Sequence, residues 1–181
     1  GKDKFLSTLY GHYIQWITLP FFYPSILVYS PWIIQKRSKS TIMASCKLLV
    51  EVLSMCVMGH TYRMKYHILR TNLPQYVLQT TSRAYKAVLL SSVSFLKCII
   101  ASKDENDIYL RHIAKQDLFR PVLEKTKKSP NKGGIIGCAM LELLHLISDE
   151  GLSTLIEYVV DDLPAYLEHP FYDQIFKKLK A

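Results

Sequence analysis

Asn72-Leu73-Pro74 recurs as Asp117-Leu118-Phe119 and again as Asp162-Leu163-Pro164, each copy 45 residues after the last. At the same interval Val77 pairs with Val122 and Leu167, Ile68 with Ile113 and Tyr158, and Leu53 with Cys98 and Leu143. A fixed period of this kind marks a repeated supersecondary unit. Asn or Asp can accept a hydrogen bond from the orphan N–H groups at the start of a helix. Pro is tolerated just inside, where its missing N–H has no helical partner to lose. Each unit therefore reads as a long helix, a shorter helix, the Asn/Asp cap and a third helix. Apolar spacing of three and four residues places the long helices near 41–58, 84–101 and 134–148. The shorter ones fall near 61–71, 105–116 and 150–161, and the capped ones begin at 73, 118 and 163.

Three helices in a period of this length are the armadillo/HEAT signature. One unit alone cannot bury its apolar face, so units stack into a right-handed superhelix whose groove binds proteins. The expected fold is all-α, a single helical-repeat domain over 1–181 with about three units in 40–181. Asn72 through Leu78, leading to Phe95 and Ile99-Ile100-Ala101-Ser102, resembles an armadillo repeat. Armadillo proteins that grip extended peptides carry an asparagine on the long helix; the matching position here is Ile99, so no such peptide ladder is expected.

Residues 1–36 stand outside the repeat. No Asp, Glu, Lys or Arg occurs from Phe5 to Gln35, but Pro20, Pro24 and Pro31 divide this run. A bilayer span needs about 20 apolar residues in one helix, so a membrane segment is not expected here. The reading is instead an amphipathic helix over Lys4–Leu19, with Phe5, Leu9, Tyr13 and Trp16 on one stripe, followed by a proline-punctuated apolar loop. The chain begins at Gly1 without an initiating Met, as expected of a piece of a longer protein.

Composition agrees with an ordered globular chain: 49% of residues are apolar and 21% charged, which excludes disordered and collagen-like classes. The net charge of +8 is uneven. Residues 1–103 hold 13 Lys/Arg against Asp3 and Glu51, whereas residues 104–181 are slightly acidic. The change of sign reads as a gradient along one repeat surface, suited to an acidic or phosphorylated partner. Cys46, Cys56, Cys98 and Cys138 lack CxxC spacing and are expected as reduced packing residues in an intracellular compartment.

No catalytic motif stands out, and no metal or cofactor is expected. Gly133-Gly134-Ile135-Ile136-Gly137 follows no strand and reads as the entry to a long helix. The six histidines are scattered. Asp104, Glu105 and Asp107 are placed in the first turn of a helix, as are Asp149 and Glu150 one period later, where negative charge offsets the dipole. Tyr62 and Tyr109 read as packing residues. The functional signal that remains is basic: Arg63, Lys65, Arg70, Lys97, Lys103, Arg111 and Arg120 form a candidate strip for acidic or phosphorylated segments. The alternative function is a basic helical-repeat module for nucleic acid or phosphorylated peptides. It ranks second because no recognition-helix motif or base-reading pair accompanies the charge.

His60-Thr61-Tyr62, Met64-Lys65, Lys97 through Ile99-Ile100, Lys103-Asp104-Glu105 and Tyr109 resemble the central domain of the SMEK proteins, regulatory subunit 3 of protein phosphatase 4. So do Leu118-Phe119-Arg120-Pro121-Val122, where the family tends to carry an acid in place of Arg120, Ala139 through Glu142-Leu143, and the ending Phe176 through Lys180. The resemblance runs from about residue 5 to 180 and is weakest over Leu19–Ser40, where the family often has a polar or acidic loop. It implies a non-catalytic scaffold with no small-molecule substrate, nuclear and cytoplasmic. The implied partners are the phosphatase 4 catalytic subunit, its second regulatory subunit, and phosphoprotein substrates or adaptor proteins. The family's amino-terminal pleckstrin-like, peptide-binding domain has no counterpart in these residues.

Overall fold

The computed structural model describes residues 1–23, 29–30, 33–36, 38–82, 86–102, 107–128 and 134–180. It contains two compact units, Gly1–Ser102 and Lys103–Ala181.

The first unit opens with α1 (Lys2–Thr8), a π-helical turn over Leu9–Tyr13, and α2 (Ile14–Phe22). The helix runs through Pro20, which cannot donate a backbone hydrogen bond to the Trp16 carbonyl, and ends two residues later at Phe22. The stripe expected to face inward does not. Phe5, Tyr13 and Trp16 are exposed, Trp16 at 65%, while Leu6, Ile14, Thr18 and Phe21 are buried. The buried face lies about 100° round the helix. It is anchored by Tyr10, whose hydroxyl meets His60 Nδ1 at 3.0 Å, and by the edge-on contact of Phe22 with Tyr76. In the expected loop, Tyr29–Ser30 (β1) pairs antiparallel with Ile33–Lys36 (β2), a small addition to an otherwise helical fold. Pro24 and Pro31 lie outside the described residues.

The long helix α3 (Lys39–Thr71) starts at Ser38, whose Oγ accepts from the Thr41 N–H at 3.1 Å. It joins the first expected long and short helices, with the break between them at Thr61 (φ 29, ψ −99). Asn72 closes α3 in the left-handed conformation (φ 51, ψ 34), which Asn tolerates better than most residues. Then come α4 (Leu73–Ser82) and α5 (Lys86–Ala101); α3 and α4 both pack on α5, and α2 packs on α4.

The second unit consists of α6 (Ile108–Lys115), α7 (Arg120–Lys128), α8 (Ile135–Asp149), α9 (Ser153–Asp162), α10 (Pro164–Leu167) and α11 (Asp173–Lys180). Asp117 (φ 50) ends α6 as Asn72 ends α3: its N–H reaches Ala114 O and the Leu118 N–H reaches Ile113 O, the paired bonds of a Schellman turn. Gly151 (φ 62) makes the same turn after α8, with the Leu152 N–H on Ile147 O. This corrects the reading of Asp149 and Glu150. They sit at the end of α8 and not in the first turn of the next helix, which begins at Ser153. The positive φ at residue 151 stops one helix before another starts. Asp107 precedes α6, and Asp104 and Glu105 lie outside the described residues.

Burial follows the 45-residue register. Leu73, Leu118 and Leu163 are buried, as are Val77, Val122 and Leu167, and Ile68, Ile113 and Tyr158. An all-α helical repeat accounts for that recurrence. Cys46 and Cys56 are buried, and burial pushes both thiols up. Cys98 is half-buried, and Cys138 departs from the packing expectation by being exposed on α8.

Candidate partner-binding surface

Four of the seven basic positions belong to the first unit. Arg63, Lys65 and Arg70 stand on α3 beyond Thr61, and Lys97 is half-buried on α5. At about 100° per residue, Arg63 and Arg70 take one side of α3 and Lys65 the other, with Tyr62 and Tyr66 between them. Tyr66 is exposed, and Tyr62 corrects its packing assignment at 75% exposure; Tyr109 is buried as expected.

Arg111 and Arg120 belong to the second unit, and Lys103 lies outside the described residues. Arg111 is exposed on α6. Arg120 is tied into a network inside its own unit: its Nε donates to Asp117 Oδ2, its Nη2 lies 3.5 Å from Asp162 O, and its guanidinium covers the Tyr166 ring. The Tyr158 hydroxyl donates to Asp117 Oδ1 at 2.5 Å and accepts from the Phe119 N–H at 3.3 Å. Burial, then the adjacent carboxylate, holds the Tyr158 hydroxyl far above its usual range. The Asp117 hydrogen bond does the same for the Arg120 guanidinium. Lys127 reaches Ala165 O across the same helices, and Tyr166 donates to Glu124 at 3.3 Å. Arg120 thus joins one turn of the repeat to the next.

A feature missed by the charge reading is apolar. On α3 the positions Cys46, Val50, Leu53 and Val57 are buried, while Leu48, Val52, Met55 and Met58 are exposed. Positions two apart lie about 200° apart, so this helix is apolar on opposite faces. The signal was present in the sequence as two interleaved stripes. The exposed side of α8, by contrast, carries Cys138, Glu142, His145 and Asp149. Among the described residues, Ser40–Thr71 is the one helix long and apolar enough to cross a membrane.

In the second unit, a half-open cleft of about 750 Å³ is lined by His145, Glu168, His169, Phe171, Asp173 and Lys177 among others. His169 Nδ1 accepts from the Phe171 N–H at 3.2 Å, and Asp173 holds Lys177 at 2.7 Å. Among the described residues, no group of three His, Cys, Asp or Glu is arranged to hold a metal.

The sequence profile of the family described as "Phosphatase 4 regulatory subunit 3" matches residues 1–181. The chain is 29% identical over 182 residues to "Serine/threonine-protein phosphatase 4 regulatory subunit 3" of Drosophila melanogaster, covering 99% of this chain and 18% of that protein. It is 30% identical over 133 residues to "Protein PPP4R3C1" of Mus musculus, 74% of this chain and 16% of that one. "Suppressor of Mek1" of Dictyostelium discoideum is 25% identical over 143 residues, 72% of this chain and 14% of the relative. The chain spans less than a fifth of each of these proteins. No solved structure matches it. With the profile covering every residue, the chain belongs to the phosphatase 4 regulatory subunit 3 family, the SMEK proteins.

Proposed function

We propose that this chain is the helical-repeat part of a non-catalytic scaffold that assembles with the phosphatase 4 catalytic subunit and its second regulatory subunit. It steers that enzyme to phosphoprotein substrates or adaptors in nucleus and cytoplasm. The observation that carries this reading is the family match over the whole chain. Dephosphorylation is performed by the partner's active site, and this chain contributes proximity and choice of substrate. The basic side chains of the first unit, Arg63, Lys65, Arg70 and Lys97, support it as groups able to hold acidic or phosphorylated segments.

Co-purification tests the proposal. Full-length protein containing this region is expected to retain both phosphatase subunits at physiological salt, and deletion of residues 1–181 to release at least one of them. Retention unchanged by the deletion overturns the assembly role. A nucleic-acid module would behave differently. It would bind DNA or RNA with an affinity falling steeply with salt, in proportion to the phosphates contacted.

A further inference from the structure

Leu48, Val52, Met55 and Gly59 follow one another along α3 at spacings of four, three and four residues, and Tyr62 and Tyr66 extend the same three–four spacing beyond the break at Thr61. All five side chains are exposed, Met55 at 73%, and a Cβ added at Gly59 would meet nothing within 4 Å. This is the seam pattern by which one helix receives another, with side-chain knobs entering holes between residues of the facing helix. The opposite face of α3 is already buried in the core of the first unit, so core packing does not explain the stripe. Gly59 leaves a gap in the middle of the seam, into which a large partner side chain fits.

The flanks indicate what that helix carries. Past Thr61 the tyrosines lie between Arg63 and Arg70 on one side and Lys65 on the other. The acid on this helix is Glu51, which already faces Lys47 at 3.6 Å. The unit as a whole holds 12 Lys/Arg against two acids. Two copies of the chain meeting through this face would set cation against cation, which opposes self-association. An anionic lipid surface would also accept an apolar helical stripe with cationic flanks, but the gap at Gly59 suits a fixed partner side chain better than fluid acyl chains.

We propose that the exposed seam of α3, from Leu48 to Tyr66, docks an amphipathic helix of a partner protein whose apolar side follows the same spacing and whose flanks are acidic. The proposal concerns the local chemistry of this face and stands apart from the identity of the phosphatase complex.

The test uses the 181-residue chain and two labelled synthetic helical peptides of about three heptads, both with Leu at the seam positions. One carries Glu on its flanks and the other Lys, and binding is read by fluorescence anisotropy. The acidic-flanked peptide is expected to bind saturably and at least about tenfold more tightly than the basic one. Met55→Glu, with its circular dichroism spectrum unchanged, is expected to weaken that binding by at least about tenfold. Arg63→Glu combined with Lys65→Glu is expected to reverse the preference, which keeps the test informative should Met55→Glu misfold. Equal binding of the two peptides, or none, overturns the proposal. So does affinity unaffected by the substitutions. Capture of the chain by phosphatidylcholine–phosphatidylserine vesicles, or a dimer dissolved by Met55→Glu, in place of peptide binding, would assign the face to a membrane or a second copy instead.

Discussion

Tyr158 shows how a repeat position changes its chemistry without leaving the core. Its counterparts Ile68 and Ile113 are apolar, and all three are buried. The hydroxyl is tolerated because Asp117 and the Phe119 N–H supply its hydrogen bonds. Tyr158→Phe leaves the Asp117 carboxylate and the Phe119 N–H without that partner and should destabilise the chain by about 1–2 kcal/mol, read from the urea midpoint. His67 and His112 are another pair one period apart. Each has a buried Nε2 without a hydrogen-bond partner, and burial, then a nearby Arg70 or Lys115, pushes its pKa below the usual 6.5. Burial disfavours the charged form of both rings in the folded chain, so they take up protons more readily when unfolded and stability rises with pH. Stability is fully present above about pH 6.5 and is lost as pH falls from there toward the folded pKa values. Denaturant titrations between pH 7.5 and 5.5 should show this decline, and His67→Gln with His112→Gln should flatten it.

Helices and their ends divide into those written in local residues and those set by contact. The Asn/Asp positions were readable because a short polar side chain tolerates special backbone. The sequence suggested an N-cap role, whereas Asn72 and Asp117 take the left-handed turn that ends the preceding helix. The end of α8 was not readable at Asp149 because an acid favours helix starts, while Gly151 and its positive φ stop the helix there. Along the first helix, two neighbouring apolar stripes competed, and the contacts of Tyr10 and Phe22 selected the one that is buried. On α3, Gly59 occupies a helical position with open space around its Cα. Gly59→Ala should therefore raise stability by about 0.5–1 kcal/mol, seen as a higher melting temperature. The added methyl fills the gap in the seam, so the same variant should bind the acidic-flanked peptide more weakly. A single substitution with opposite effects on stability and docking separates a packing role from a binding role.

Taken as a whole, the chain carries +10 on residues 1–102 and −2 on residues 103–181. The sequence reading placed the sign change inside one repeat surface, whereas it falls within two residues of the boundary between the compact units. Attraction for an acidic protein should therefore come mainly from the first unit. Neutralising Arg63 and Arg70 to Gln should weaken binding of an acidic-flanked peptide and shrink its salt dependence, measured by anisotropy from low to physiological salt. The same change at Arg111 should have a smaller effect. The period, helix order and buried register followed from residue types alone, because apolar spacing and turn residues act over a few neighbours. The two-unit division, the exposure of Tyr62 and Met55, and the capture of Arg120 by Asp117 depended on which faces meet across distant elements. Local periodicity marks an apolar stripe but carries no record of what covers it. Here α3 has two such stripes, and tertiary packing buries one and leaves the other to solvent.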